Sequence, residues 1–336
     1  MFSASGENAR QMGRTSRILE GGNFMSLAAR RISTALSKNT RKRITELKAY
    51  PTIETWMNPV TRGLARRLAN HEWEKCLSEI DFEYRMNDVE IAGRPCVTYE
   101  TAGDRRDDLF LFYVHGGAFV SGSPRVNASM ILPAVRNTGA QCLGVSYSLL
   151  PEGRFPTPLE EVDRVYKAAL KEHQGKRIVA FGDSIGGGIL LANLMRWRDE
   201  GVQLPDRVVL ASPAVDGVGA SDTHRTIDGH DPHLRTHQGR SVQKLFQYYA
   251  PGEDLHNPLI SPIYGYFSGL PPMLIHVGSR EVLLGDAARL AEAARRAGIN
   301  STLRVFDGMF HLFHMHWSLS EAKTAHEDIA EFIRSV

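Results

Sequence analysis

Along the chain, continuously apolar runs alternate with stretches whose apolar residues recur at three- and four-residue spacing. Leu109-Phe110-Leu111-Phe112-Tyr113-Val114 is apolar throughout, as a central strand covered on both faces must be. Shorter runs at Gln141–Val145, Arg177–Phe181, Val208–Ala211, Met273–Val277 and Leu303–Phe306 repeat that character. Between them, Leu159, Val162, Val165, Ala169 and Leu170 predict an amphipathic helix over 158–171. Further helices are predicted from Ile185 to Asp199, from about Asp286 to Ala297 and from about Ser320 to Ile333. Phe82–Met86 and Cys96–Tyr99 alternate in polarity like half-buried antiparallel strands. Strand–helix alternation of this kind predicts an α/β fold, a mostly parallel central sheet flanked by helices.

Two stretches fall outside the alternation. From Leu27 to about Leu77 the spacing is helical, with Pro51 and Pro59 as punctuation and no strand of its own. Residues 217–257 are polar, rich in histidine and turn residues, with one helical piece around Val242 to Tyr249. The domain reading is therefore a disordered basic tail over 1–24, the N-terminal part of a helical cap over 25–80, and a catalytic domain over 81–336. The 217–257 insertion forms the second part of the cap.

With 336 residues the chain can bury a large core, and 42% hydrophobic and 23% charged residues are ordinary for a globular protein. A net charge of +2 argues against nucleic acid as a partner. The charge is uneven: residues 1–43 carry nine Lys/Arg against Glu7 and Glu20, a net of +7, which leaves −5 for the remainder. Three cysteines without a C-x-x-C read as reduced thiols, hence a cytoplasmic location. No apolar run approaches a membrane span, so no stable membrane insertion is expected.

The chemistry gathers at Gly182-Asp183-Ser184-Ile185-Gly186, a G-x-S-x-G between a predicted strand and a predicted helix. A sharp strand-to-helix turn there lifts one hydroxyl above a sheet edge as a nucleophile, although a Gly-rich turn can also be purely structural. His115-Gly116-Gly117-Ala118-Phe119 follows the most apolar strand and offers close backbone N–H groups. With the N–H of Ile185, those of Gly116 and Gly117 are the expected oxyanion hole. The base is expected on the loop after the last strand, at His311, and the orienting acid on the preceding strand's loop, at Glu281. Asp286 competes for that role, but its position suits the N-cap of the following helix. His314 and His316 would suit a metal only with carboxylate or thiolate help, and none is near in sequence, so no metal and no cofactor are expected. His224, His230, His233 and His237 read as solvated surface of the insertion.

On these residues the sequence resembles the hormone-sensitive-lipase-like (family IV) carboxylesterases of the α/β-hydrolase superfamily. Tyr147 with Pro151-Glu152 and Phe155-Pro156, Ser212-Pro213 with Asp216, Asn257-Pro258 with Ser261-Pro262, and Gly269-Leu270-Pro271-Pro272 add to the likeness. The resemblance covers roughly residues 80–334. It implies hydrolysis of a small-molecule ester without a cofactor by a Ser184–His311–Glu281 triad, a helical cap, and often a homodimer. Three positions depart from the family pattern. Ile185 replaces a small residue, Glu281 stands where aspartate is usual, and Tyr147-Ser148-Leu149-Leu150 replaces a Tyr-Arg-Leu-Ala run. The bulk of Ile185 predicts a preference for short acyl chains. An amidase or deacetylase with the same triad is the alternative, and a non-catalytic ligand-binding member is the rival from another class.

Overall fold

In the computed structural model the described residues are 28–32, 36–47, 50–103, 105–227, 229–234 and 241–335. The strands are β1 (Ala28–Ile32), β2 (Tyr84–Ile91), β3 (Arg94–Thr101), β4 (Arg106–Val114), β5 (Ala140–Val145), β6 (Arg177–Asp183), β7 (Arg207–Ala211), β8 (Met273–Gly278) and β9 (Ser301–Phe306). They form one sheet in the order β1-β9-β8-β7-β6-β4-β5-β3-β2. β2 pairs antiparallel with β3 and β3 with β5; every other pairing is parallel. This is the expected α/β architecture.

The helices are α1 (Lys38–Glu46), α2 (Ile53–Met57), α3 (Arg62–Ser78), α4 (Ala128–Thr138), α5 (Thr157–Glu172), α6 (Ile185–Asp199), α7 (Thr223–Thr226), α8 (Ser241–Tyr249), α9 (Leu284–Arg296) and α10 (Ser320–Arg334). α6 is buried nearly all round, because an apolar helix behind the central strands must be covered on every face. α4 has no counterpart among the helices expected from the spacing. Its Ala128–Val135 run is buried at every residue and contains Pro133, which inside a helix removes a hydrogen bond.

The N-terminal region corrects one expectation. It is not free of strands: β1 adds to the sheet edge, with Ala28 opposite Thr302 and Ile32 opposite Phe306. The tail expected over 1–24 lies outside the described residues. α2 and α3 pack with α8 of the insertion, where Glu54 accepts a hydrogen bond from Ser241 and Arg62 bonds the Tyr248 hydroxyl at 2.6 Å.

Parallel strands place their C-terminal ends on one edge of the sheet, where ligands of open α/β folds bind. β4 ends at Val114 beside Gly182 of β6, so the His115 loop abuts the Ser184 turn. β8 ends at Gly278 beside Phe306 of β9, which brings the loops carrying Glu281 and His311 together.

Candidate active site

Ser184 links β6 to α6 with φ 50° and ψ −123°, a conformation that a non-glycine residue adopts only under constraint. The constraint is visible. Its N–H donates to Ala211 O at 2.9 Å, while its carbonyl accepts from Gly187 and Ala214. Gly186 permits the turn, since a Cβ there would run into the carbonyl oxygens of Val114 and His115.

The three expected residues meet. His311 Nε2 lies 3.0 Å from Ser184 Oγ, and His311 Nδ1 lies 2.8 Å from Glu281 Oε2. An ionised carboxylate only accepts, so Nδ1 carries the proton and Nε2 is left to accept from the serine hydroxyl. The second oxygen of Glu281 accepts from Ser212 Oγ at 2.9 Å and from the Gly278 N–H. Glu281 is fully buried, so those bonds replace the water its charge has lost. Asp286 is elsewhere. It sits in the first turn of α9, where Leu283 and not Asp286 is the N-cap, and it holds His224 Nε2 at 2.9 Å.

Asp183, beneath the serine, accepts from the Tyr113 hydroxyl at 2.7 Å and from the Gly116 N–H at 3.0 Å. Burial pushes its carboxyl up to about 7 despite these donors. The bond to Gly116 corrects the expected oxyanion hole, because that N–H is already committed. Gly117 and Ala118 line a cavity of about 20 Å³ together with Ser184 and His311. Among the described residues, none accepts the N–H of Gly117, Ala118 or Ile185. The shift by one residue is legible only in three dimensions, because Asp183 and Gly116 are 67 positions apart.

The remaining walls come from both stretches that broke the alternation. Tyr50, Trp56 and Trp73 come from the N-terminal region, and His233 and Leu234 from the insertion. Of these, only His233 is named from the sequence, as solvated surface; an aromatic in a helical segment reads as core. Ile185, expected to crowd the site, is not among the lining residues and is packed into the interior. His224 and His233 are buried, against the solvated surface expected of them; His230 is exposed, and His237 lies outside the described residues.

His316 does find a thiol and a carboxylate, absent nearby in sequence. Cys76, Glu72 and His316 bring ligand-type atoms within 4.8 Å of one another. The Arg43 guanidinium stands among them, donating to His316 Nδ1 at 2.9 Å and to Glu72. A metal ion would have to displace that cation, so the cluster is matched to arginine. Among the described residues no helix is long and apolar enough to cross a membrane.

Comparison with known proteins bears on the family and the fold. A family model described as alpha/beta hydrolase fold matches residues 111–315. An acetyl-hydrolase of Streptomyces hygroscopicus is 35% identical over 69% of this chain and 77% of its own length. An esterase of Acinetobacter venetianus is 33% identical over 67% of this chain and 75% of its own. A crystal structure of an esterase from the bacterial hormone-sensitive lipase family superposes with a TM-score of 0.79 at 32% identity, covering 90% of this chain and 99% of that one.

The chain belongs to the hormone-sensitive-lipase-like family of α/β hydrolases. As a member it is an enzyme of the carboxylic ester hydrolase class. In this family frame the Gly117–Ala118 turn and the Ser184 elbow occupy adjoining loops of one sheet edge.

Proposed function

We propose that this enzyme hydrolyses esters of short carboxylic acids by two-step acyl transfer through Ser184, His311 and Glu281. The observation that carries the proposal is the continuous relay of Ser184 Oγ, the His311 ring and the Glu281 carboxylate at 3.0 and 2.8 Å. Ser184 Oγ attacks the ester carbonyl as His311 Nε2 takes its proton. Glu281 holds the imidazole in the productive tautomer and stabilises the imidazolium. The oxyanion of the tetrahedral intermediate is held by the N–H groups of Gly117, Ala118 and Ile185, the last at the positive end of α6. Collapse returns the proton from His311 to the departing alcohol and leaves an acyl-serine. Water, deprotonated by the same nitrogen, then attacks the acyl carbon; the acyl–Oγ bond breaks, Ser184 Oγ takes the proton back from His311, and the acid leaves.

Short acyl chains are favoured by the small volume beside the serine, bounded by Tyr50, Trp56 and Trp73. The N-terminal helices and the 217–257 insertion act together as the cap that closes this volume. Ser184→Ala, assayed on p-nitrophenyl acetate, is expected to abolish turnover with an unchanged circular dichroism spectrum. Wild-type turnover by that variant would refute the mechanism.

A further inference from the structure

The insertion after β7 reaches the site through Asp231-Pro232-His233-Leu234, a turn buried at every residue. Its polar contacts go to both loops that carry the proposed relay. Asp231 Oδ1 accepts from the N–H groups of His233 at 3.0 Å and Leu234 at 3.2 Å, which fixes the turn itself. Asp231 Oδ2 accepts from the Val282 N–H at 3.3 Å, the residue directly after Glu281. His233 Nδ1 lies 2.7 Å from the carbonyl oxygen of His311. A carbonyl can only accept, so Nδ1 carries the hydrogen of a neutral ring. Tyr50 tilts against that ring at 4.7 Å and Phe310 meets it edge-on at 5.4 Å, so its orientation is set by packing.

We infer that Asp231 and His233 are positioning residues of the hydrolytic site: one turn of the insertion clamps the main chain beside Glu281 and the main chain of His311. The inference rests on the proposed roles of Ser184, His311 and Glu281. The Glu281 and His311 side chains arise from loops after different strands, β8 and β9, and their 2.8 Å contact depends on how the loops sit relative to each other. A misplacement of 1 Å far from the chemistry can cost about 100-fold in rate. Both clamping bonds end on backbone atoms, so they fix the base of each side chain and leave its tip free for the reaction. The titratable groups around His311 are Glu281, Asp183, Asp231, His233 and His314. Replacing Asp231 therefore removes a charge as well as a bond, whereas replacing His233, neutral in the fold, changes geometry alone.

The test compares His233→Phe, His233→Asn, Asp231→Asn and Ser184→Ala in the full chain, by kcat and KM for p-nitrophenyl acetate across pH, with Tm for each. His233→Phe is expected to lower kcat about tenfold or more with KM nearly unchanged. His233→Asn, whose amide N–H can take the place of Nδ1–H, is expected to restore most of that loss. Asp231→Asn is expected to lower kcat and to move the acid limb of the profile to lower pH, because a negative charge near the imidazolium is gone. Should His233→Phe not fold, His233→Gln, whose amide lies one methylene farther out, serves against His233→Asn. Wild-type kcat in His233→Phe, or equal losses in the Phe and Asn variants that simply follow Tm, would overturn the inference. If Ser184→Ala is inactive while His233→Phe is normal, this inference alone fails; if Ser184→Ala stays active, the proposed relay fails and this inference with it.

Discussion

Arg43 Nε lies 2.9 Å from His316 Nδ1, so α1 is bonded to the loop five residues beyond His311. The same guanidinium reaches Glu46 at 3.1 Å, Glu72, and Glu79 at 3.7 Å, with its own side chain only 7% exposed. Removing one partner of such a cluster leaves buried charge uncompensated, which costs more than the pair itself contributes. Arg43→Met is expected to destabilise the protein by about 2–4 kcal/mol, reduced from the fully buried case because the glutamates keep some solvent. Urea denaturation followed by tryptophan fluorescence would measure it. A change within about 0.5 kcal/mol, the usual range for a surface substitution, would contradict this account.

How much of this was legible beforehand follows from where each signal lives. The relay residues could be named because each sits a fixed short distance past an apolar strand, and strands announce themselves by uninterrupted apolar runs. The commitment of the Gly116 N–H to Asp183 is illegible in the sequence, because nothing local reveals that bond. β1 was hidden for a related reason. Ala28-Ala29-Arg30-Arg31-Ile32 carries no apolar run, and it gains strand structure by pairing with β9. α4 carries Pro133 in its interior, a residue that reads as a helix breaker until tertiary packing is known. His233 and Asp231 were illegible as site residues, since a polar, turn-rich segment signals surface unless its tertiary partners are known.

The acid of the relay can be assigned by contrasting two buried carboxylates five residues apart. Glu281 bonds the His311 ring directly, and Asp286 bonds His224. Glu281→Gln keeps the shape but offers an amide that cannot stabilise the imidazolium, so kcat is expected to fall by about 10³–10⁴-fold with little change in KM. Asp286→Asn is expected to leave kcat within about threefold while lowering Tm, because it weakens the link between α7 and α9. The reverse pattern of kcat values would move the acid to Asp286.

Acid should unfold this protein sooner than its net charge suggests. Burial holds His115 and His326 down to about 4 and His233 down to about 3, and it also depresses His276, His314 and His316. For a group whose folded pKa is lowered, stability is present above its unfolded value, about 6.5 for histidine, and is lost as pH falls toward the folded value. Asp183, Asp231 and Asp286 act in the opposite sense, since burial raises all three. The depressed histidines outnumber these raised aspartates, so the unfolded chain takes up more protons than the folded one as pH falls below about 6.5. Urea midpoints measured from pH 7.5 to 4.5 are expected to fall steeply below pH 6.5; a flat profile would contradict the buried neutral histidines.

The acyl preference should follow the cap aromatics and not Ile185. Trp56 and Trp73 are each 2% exposed and face the serine across a cavity of about 20 Å³, space for about one water. Seating a longer acyl chain is therefore expected to require one of them to move. Trp73→Leu removes ring volume while keeping an apolar wall. The variant is expected to raise kcat/KM for p-nitrophenyl octanoate relative to the acetate by about tenfold or more, since each methylene newly accommodated in an apolar pocket is worth about 1–3 kcal/mol. Ile185→Ala, behind the elbow, is expected to leave that ratio within about twofold and to lower Tm through a core cavity. Steady-state kinetics on an ester series graded by acyl length, run on both variants, would decide it. A shift in chain-length preference with Ile185→Ala and none with Trp73→Leu would return the control of acyl length to the residue beside the nucleophile.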